Sequence, residues 1–189
     1  MNVIWLASYP KSGNTWLGTF LYHYFYGKPK SSSVIADFVP DIHDLLSKGH
    51  GLNEANPNAI ICKTHFLYSA NHPYIDSTKG FICLLRHPKD VLLSVMNFVR
   101  LCTDGEPIDE IACARQFIQE MGLPDYINQG MGDWPAHGGS WLSASRLYPH
   151  LFLHYEAMRS DPVSHFRRII QFLGQTVDEE KLVQAVDAT

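Results

Sequence analysis

Five consecutive residues, Lys11, Ser12, Gly13, Asn14 and Thr15, bring together an ammonium, two hydroxyls, an amide and a backbone free to curl. Glycine at 13 lets successive N–H groups point at one oxyanion, and a helix beginning near Asn14 adds the positive end of its dipole. Ser12 and Thr15 donate hydroxyls and Lys11 supplies a point charge, so the chemistry is anion binding. The usual triphosphate loop reads Gly, four residues, Gly-Lys-Ser/Thr. Here the lysine precedes the glycine, which asks for a different anion. The plain alternative is an ordinary strand-to-helix turn with Trp16 as a core residue. A second pair, Arg86 and Ser94, offers a planar guanidinium fork and a hydroxyl, both suited to phosphate oxygens. Its alternative is a surface salt bridge from Arg86 to Asp90 and a helix-face hydroxyl at Ser94. Lys63 and His65 lie two apart in a strand-like run, so both side chains share a face and converge on one site. Tyr155 closes another such run, where packing is the common role of tyrosine. His154 and Glu156 lack partners at ligand spacing, and no metal is assigned.

Positioning these groups requires strand ends and helix starts. Residues 2–8 form a short apolar run broken by Pro10 and Gly13, as a buried strand would be. Trp16, Phe20 and Tyr24 then recur at helical spacing until Gly27 and Pro29. Runs 59–66, 80–88 and 150–156 predict three further strands. Helices are predicted over 89–101, over 108–121 and after Ser160 or Asp161, the last with Pro162 in its first turn and Gly174 as its stop. The helix near Pro88 is expected to turn its N-terminus toward the Arg86 site. Residues 31–38, 104–110 and 128–139 read as loops, the last rich in glycine. Alternating strands and helices predict one α/β domain over 1–189, with a mainly parallel central sheet flanked by helices in three layers. Ligands gather at the carboxyl ends of such strands, so Lys11, His65 and Arg86 should face one crevice.

Composition narrows the class. With 46% hydrophobic and 12% aromatic residues, the chain of 189 residues can build a packed core. A net charge of −4 gives no global basic field for nucleic acid. The cysteines, Cys62, Cys83, Cys102 and Cys113, show no metal or redox spacing, and a reduced, cytoplasmic chain is expected. The N-terminus lacks signal-peptide character, and no apolar stretch reaches membrane-spanning length.

Residues 9–16, YPKSGNTW, closely resemble the 5′-phosphosulfate loop of sulfotransferases that use 3′-phosphoadenosine 5′-phosphosulfate (PAPS). Residues 84–98, LLRHPKDVLLSVMNF, are similar to that family's 3′-phosphate motif, and residues 62–66, CKTHF, resemble its Lys-Thr-His segment. The resemblance spans about residues 3–174 and implies a P-loop-like fold. It implies that Lys11, Ser12, Gly13, Asn14 and Thr15 bind the phosphosulfate, Trp16 stacks on adenine, and Arg86 and Ser94 hold the 3′-phosphate. Tyr155, in the segment LHYEAMRSDP, would lie near the nucleotide. His65 would be the general base, Lys63 and Lys11 would assist the transferring group, and Ser12 would modulate Lys11 by a hydrogen bond. The implied reaction moves a sulfuryl group to the hydroxyl or amine of a small-molecule acceptor, leaving 3′,5′-adenosine bisphosphate (PAP), without metal, nucleic acid or membrane. The family's Leu-Pro after this His is replaced by Phe66-Leu67, and its late Arg-Lys-Gly loop has no counterpart here. A shortened or non-catalytic nucleotide-binding piece of the same fold therefore stays open, as does a P-loop nucleotide kinase. Acceptor contacts are expected from residues 30–58, 67–79 and 99–140, with Phe66, Tyr68, Phe98 and Trp134 as candidate walls.

Overall fold

The structure, a computed structural model, describes residues 2–52, 61–103 and 108–189. Among these, four strands form one sheet: β1 (Val3–Ser8), β2 (Ile61–Thr64), β3 (Thr78–Leu85) and β4 (His150–His154), in the order β2-β1-β3-β4 and parallel throughout. All of β1 is buried, as befits a central strand covered on both faces and continuously apolar rather than alternating. On one face, Leu6, Ile82, Leu84 and Leu153 pack with Leu17, Phe20, Phe166 and Ile170. On the other, Val3, Trp5, Ala7, Phe81 and Cys83 pack with Ile42, Trp141 and Ala144. The three-layer α/β expectation is therefore met, with a sheet that is wholly parallel.

Among the described residues, the helices of six residues or more follow the chain as α1 (Asn14–Tyr26), α2 (Ser32–Phe38), α3 (Ile42–Ser47), α4 (Pro88–Cys102), α5 (Glu110–Gln119), α6 (Trp134–Ala144), α7 (Tyr155–Ser160), α8 (Pro162–Phe172) and α9 (Glu179–Asp187). The start of α8 is as read: Asp161 Oδ1 accepts the Ser164 N–H at 3.2 Å, and Pro162 needs no donor in the first turn. Its stop is also as read, with Gly174 at a φ of 75°. No helix among the described residues is long and apolar enough to cross a membrane.

Two expected loops are helices. Residues 32–38 form α2 because Phe38 lies against the rings of Tyr22, Phe25 and Tyr26, and this contact outweighs the loop-like serines. Most of 128–139 is also helical. Residues 127–131 make one wide turn, and α6 begins at Trp134 with Asp133 Oδ1 accepting the Ala136 N–H. Of the glycines that suggested a loop, Gly132 packs so closely that a Cβ would lie 2.7 Å from Leu67, whereas Gly138 and Gly139 sit within α6 with room for one. Strand β4 ends two residues early because Tyr155 starts α7. Ala59 and Ile60, expected to open β2, and 104–107 of the expected 104–110 loop lie outside the described residues.

Sheet register sets the site. Ala7 is opposite both Thr64 and Cys83, so three strands end at nearly one level. The chain leaving them delivers the loop after Ser8, then His65 and then Arg86 to one edge.

Candidate active site

The loop between β1 and α1 turns through two left-handed residues, Lys11 at φ 66° and Gly13 at φ 108°. The first α1 bond runs from the Leu17 N–H to the Gly13 carbonyl, which leaves the N–H groups of Asn14, Thr15 and Trp16 ahead of the helical ladder. Asn14 is buried and anchors this start, donating from Nδ2 to the Ser8 hydroxyl at 2.8 Å and the Leu6 carbonyl at 3.1 Å. The Lys11 ammonium lies 4.1 Å from the centre of the Phe98 ring. Burial lowers its pKa, and the nearby cations of Arg86 and Lys63 push the same way.

Lys11, Gly13, Asn14 and Thr15 line a cleft of about 540 Å³ together with Lys63, His65, Arg86 and Ser94. The expected crevice thus exists, and Ser94 reaches it from α4. An adjoining cleft, also bounded by Thr15, is lined by Trp16, Tyr155, Arg159 and Thr189. Trp16 meets Tyr155 and Phe166 edge-on, at 5.7 and 5.2 Å between ring centres.

Arg86 lines the first cleft and faces a ring that borders the second. Its Nη1 donates to the Lys11 carbonyl at 2.8 Å, and its guanidinium carbon lies 4.3 Å from the centre of the Tyr155 ring. Its Nε is buried without a protein partner. It forms no salt bridge with Asp90, so the plain alternative for this residue is not what the fold adopts. The N-terminus of α4 is less open than expected. His87 Nδ1 accepts the Lys89 N–H, and Glu156 accepts the His87 N–H at 2.8 Å.

His65 is positioned by main chain. Its Nδ1 is 2.6 Å from the Ser8 carbonyl, which can only accept, so Nδ1 carries the proton and Nε2 keeps the lone pair. Burial pulls its pKa down to about 4 against the opposing Ser8 bond, and the ring is neutral at pH 7. Lys63 Nζ lies 3.0 Å from Asp41 Oδ2. Asp41 and His43, which stacks on Phe66 at 3.8 Å, line the same cleft, and sequence reading had singled out neither.

Ser12 departs from expectation. Its hydroxyl forms no bond to Lys11; it is buried without a partner and borders a separate cavity behind Arg86. The turn at Lys11 rotates the next side chain away from the cleft. Tyr68 and Trp134 also point elsewhere. Tyr68 packs on Trp141, and Trp134 Nε1 donates to the Arg86 carbonyl at 3.1 Å.

The residues present fit a nucleotide with two anionic ends. Helix N–H groups with Lys11 offer one set of anion donors, and Arg86 with Ser94 offers another. Glycine is required at 13, where a Cβ would come within 2.6 Å of the Tyr155 ring.

A model of the family described as the sulfotransferase domain matches residues 2–189. Sulfotransferase 1A1 of Rattus norvegicus is 26% identical over 192 residues, covering 97% of this chain and 64% of that protein. Sulfotransferase 2A6 of Rattus norvegicus is 28% identical over 181 residues, covering 94% and 61%. Mouse sulfotransferase SULT7A1, crystallised with PAP, superimposes with a TM-score of 0.70 at 22% identity, covering 99% of this chain and 63% of that one. Retinol dehydratase, crystallised with androsterone and PAP, gives 0.63 at 20% identity, covering 97% and 63%. These two likenesses establish the fold. The chain spans 60–64% of the length of the curated relatives it matches.

Proposed function

The chain belongs to the sulfotransferase domain family, and on that premise we propose that it moves a sulfuryl group from PAPS to the hydroxyl or amine of a small-molecule acceptor, leaving PAP. The observation that carries this reading is the convergence of Lys11, Lys63, His65, Arg86 and Ser94 on one cleft at the ends of three parallel strands. Lys11, Gly13, Asn14, Thr15 and the first N–H groups of α1 hold the 5′-phosphosulfate. Arg86 and Ser94 hold the 3′-phosphate, and Trp16 and Tyr155 flank the adenine. PAPS supplies the sulfuryl group and its phosphate leaving group. The chain's own work is positioning, proton transfer and charge stabilisation. His65 Nε2 takes the acceptor proton while Nδ1 stays bound to Ser8, and Lys11 and Lys63 offset the charge that builds on the phosphate. Phe98 and Tyr126 give the cleft aromatic walls, with Phe66 stacked behind His43, and these suit a compact apolar acceptor. The unpaired cysteines support a reducing, cytoplasmic setting.

The test is calorimetric titration with PAP and AMP. AMP lacks the 3′-phosphate, so PAP should bind more tightly. Arg86→Ala should erase about 1.5–3 kcal/mol of that difference, the worth of a charge-assisted contact. Comparing the two ligands cancels any loss from the broken Arg86–Lys11 bond. Equal affinities in the wild type would overturn the nucleotide assignment, and absence of sulfuryl transfer to every phenol and alcohol offered would overturn the activity.

A further inference from the structure

We propose that Asp41 is a positioning residue for sulfuryl transfer, holding the Lys63 ammonium at the acceptor end of the cleft and offsetting the charge that His65 gains with the proton. This rests on the sulfotransferase reading of the cleft. The segment before α3 is laid alongside β2 as if it were a further strand. The Lys63 N–H donates to the Pro40 carbonyl at 2.8 Å, and Asp41 makes a parallel bridge with Lys63. That backbone pairing sets Asp41 opposite the lysine. Its two oxygens then divide the work. Oδ1 accepts the His43 N–H at 3.0 Å and starts α3, while Oδ2 takes the Lys63 ammonium at 3.0 Å. The side chains are only 16% and 22% exposed, so the attraction is screened less than in a surface pair.

Two carboxylates, Asp41 and Asp44, share the cleft with Lys11, Lys63 and Arg86, and Asp41, the one paired with a cleft cation, opposes the anions those groups attract. It makes sense if it acts on the transfer rather than on nucleotide binding. Without Asp41, the long Lys63 side chain loses its aim at the transferring group and is free to swing toward the 3′-phosphate beside Arg86, where it adds only ground-state affinity. With Asp41, it stays beside His65. The imidazolium formed there would otherwise face cations alone. The titratable groups around His65 are Asp41 and His43 from the α3 segment, Lys63 from its own strand and His137 from α6, and Asp41 is the carboxylate among them.

Asp41→Asn separates the two oxygens' roles. Asparagine caps a helix about as well as aspartate, so α3 keeps its start while the charge is lost. The expected result is a kcat lower by about 10- to 100-fold, the scale on which a misplaced group costs rate. The PAP Kd should be unchanged or tighter, and the His65 ring protons followed by NMR should titrate at lower pH than in wild type. Lys63→Met should reproduce the part of the rate loss that runs through the lysine, and adding Asp41→Asn to it should cost less than Asp41→Asn does alone, while still lowering the His65 titration. A variant with wild-type kcat and an unmoved His65 titration overturns the proposal, as does one whose PAP affinity falls together with its melting temperature. Failure of the wild type to bind PAP would instead overturn the reading beneath it. Should the wild type bind PAP without turnover, the His65 titration and the two PAP affinities still decide.

Discussion

His65 draws its chemistry from a neighbour's backbone. The Ser8 carbonyl fixes which nitrogen is basic, and burial holds the pKa near 4, against 6.5 for a free imidazole. As the proposed general base, it would work only when neutral, so the acid limb of kcat/KM in the free protein should fall near pH 4. His65→Ala should lower kcat by about 10²–10⁴-fold and remove that limb, with PAP affinity unchanged. Lys63→Ala should slow transfer but keep the limb. Steady-state rates across pH check this, and a His65→Ala enzyme with wild-type kcat would place the base elsewhere. Of these residues, Lys11, His65 and Arg86 were legible because each follows an apolar run that ends in a loop, and the type of side chain names the chemistry. Asp41 was not. Its role depends on a bridge to a strand formed later in the chain, and no local pattern announces such pairing. Ser12 was misread for a related reason: the left-handed turn at Lys11 decides where the next side chain points, and spacing alone does not reveal it.

At the scale of elements, the loop before α1 depends on one missing side chain. A Cβ at Gly13 would lie 2.6 and 2.8 Å from two atoms of the Tyr155 ring, at a φ of 108° that other residues resist. Gly13→Ala should therefore destabilise the protein by about 1–3 kcal/mol, the cost of a strained backbone residue, and weaken PAP binding. Adding Tyr155→Ala relieves the clash but not the φ, so recovery should be partial; full recovery would deny the backbone strain. Thermal melts and titrations read both. Helices α1 and α8 could be read from sequence because apolar period, cap and stop agree in each. Helices α2 and α6 could not, since their serines and glycines signal turns locally while Phe38 and Trp141 find their contacts only in the folded molecule. A parallel sheet was legible from the alternation of strands and helices; the order β2-β1-β3-β4 was not, because composition does not say which strand pairs with which.

For the whole molecule, acid is the expected weakness. His65, His72 and His137 are held neutral by burial, with pKa values lowered to about 4, about 4 and about 3 from 6.5. The unfolded chain binds their protons first, so stability is full above about pH 6.5 and falls as pH drops toward 4. Each lowered unit is worth about 1.4 kcal/mol. Melting temperature should thus decline between about pH 7 and pH 5, and His137→Gln should flatten that slope; an unchanged slope would mean that the ring takes up its proton as readily in the fold as in the unfolded chain. The decline also bears on the His65 experiment, where rates at low pH must be separated from unfolding by returning samples to neutral pH.

The bond from Arg86 Nη1 to the Lys11 carbonyl ties together two groups assigned to opposite ends of the nucleotide. Grip at one end is therefore felt as alignment at the other. A sulfuryl donor lacking its distal phosphate would enter less readily and would also meet the loop's cation imperfectly aimed. The missing group would then cost turnover as well as affinity.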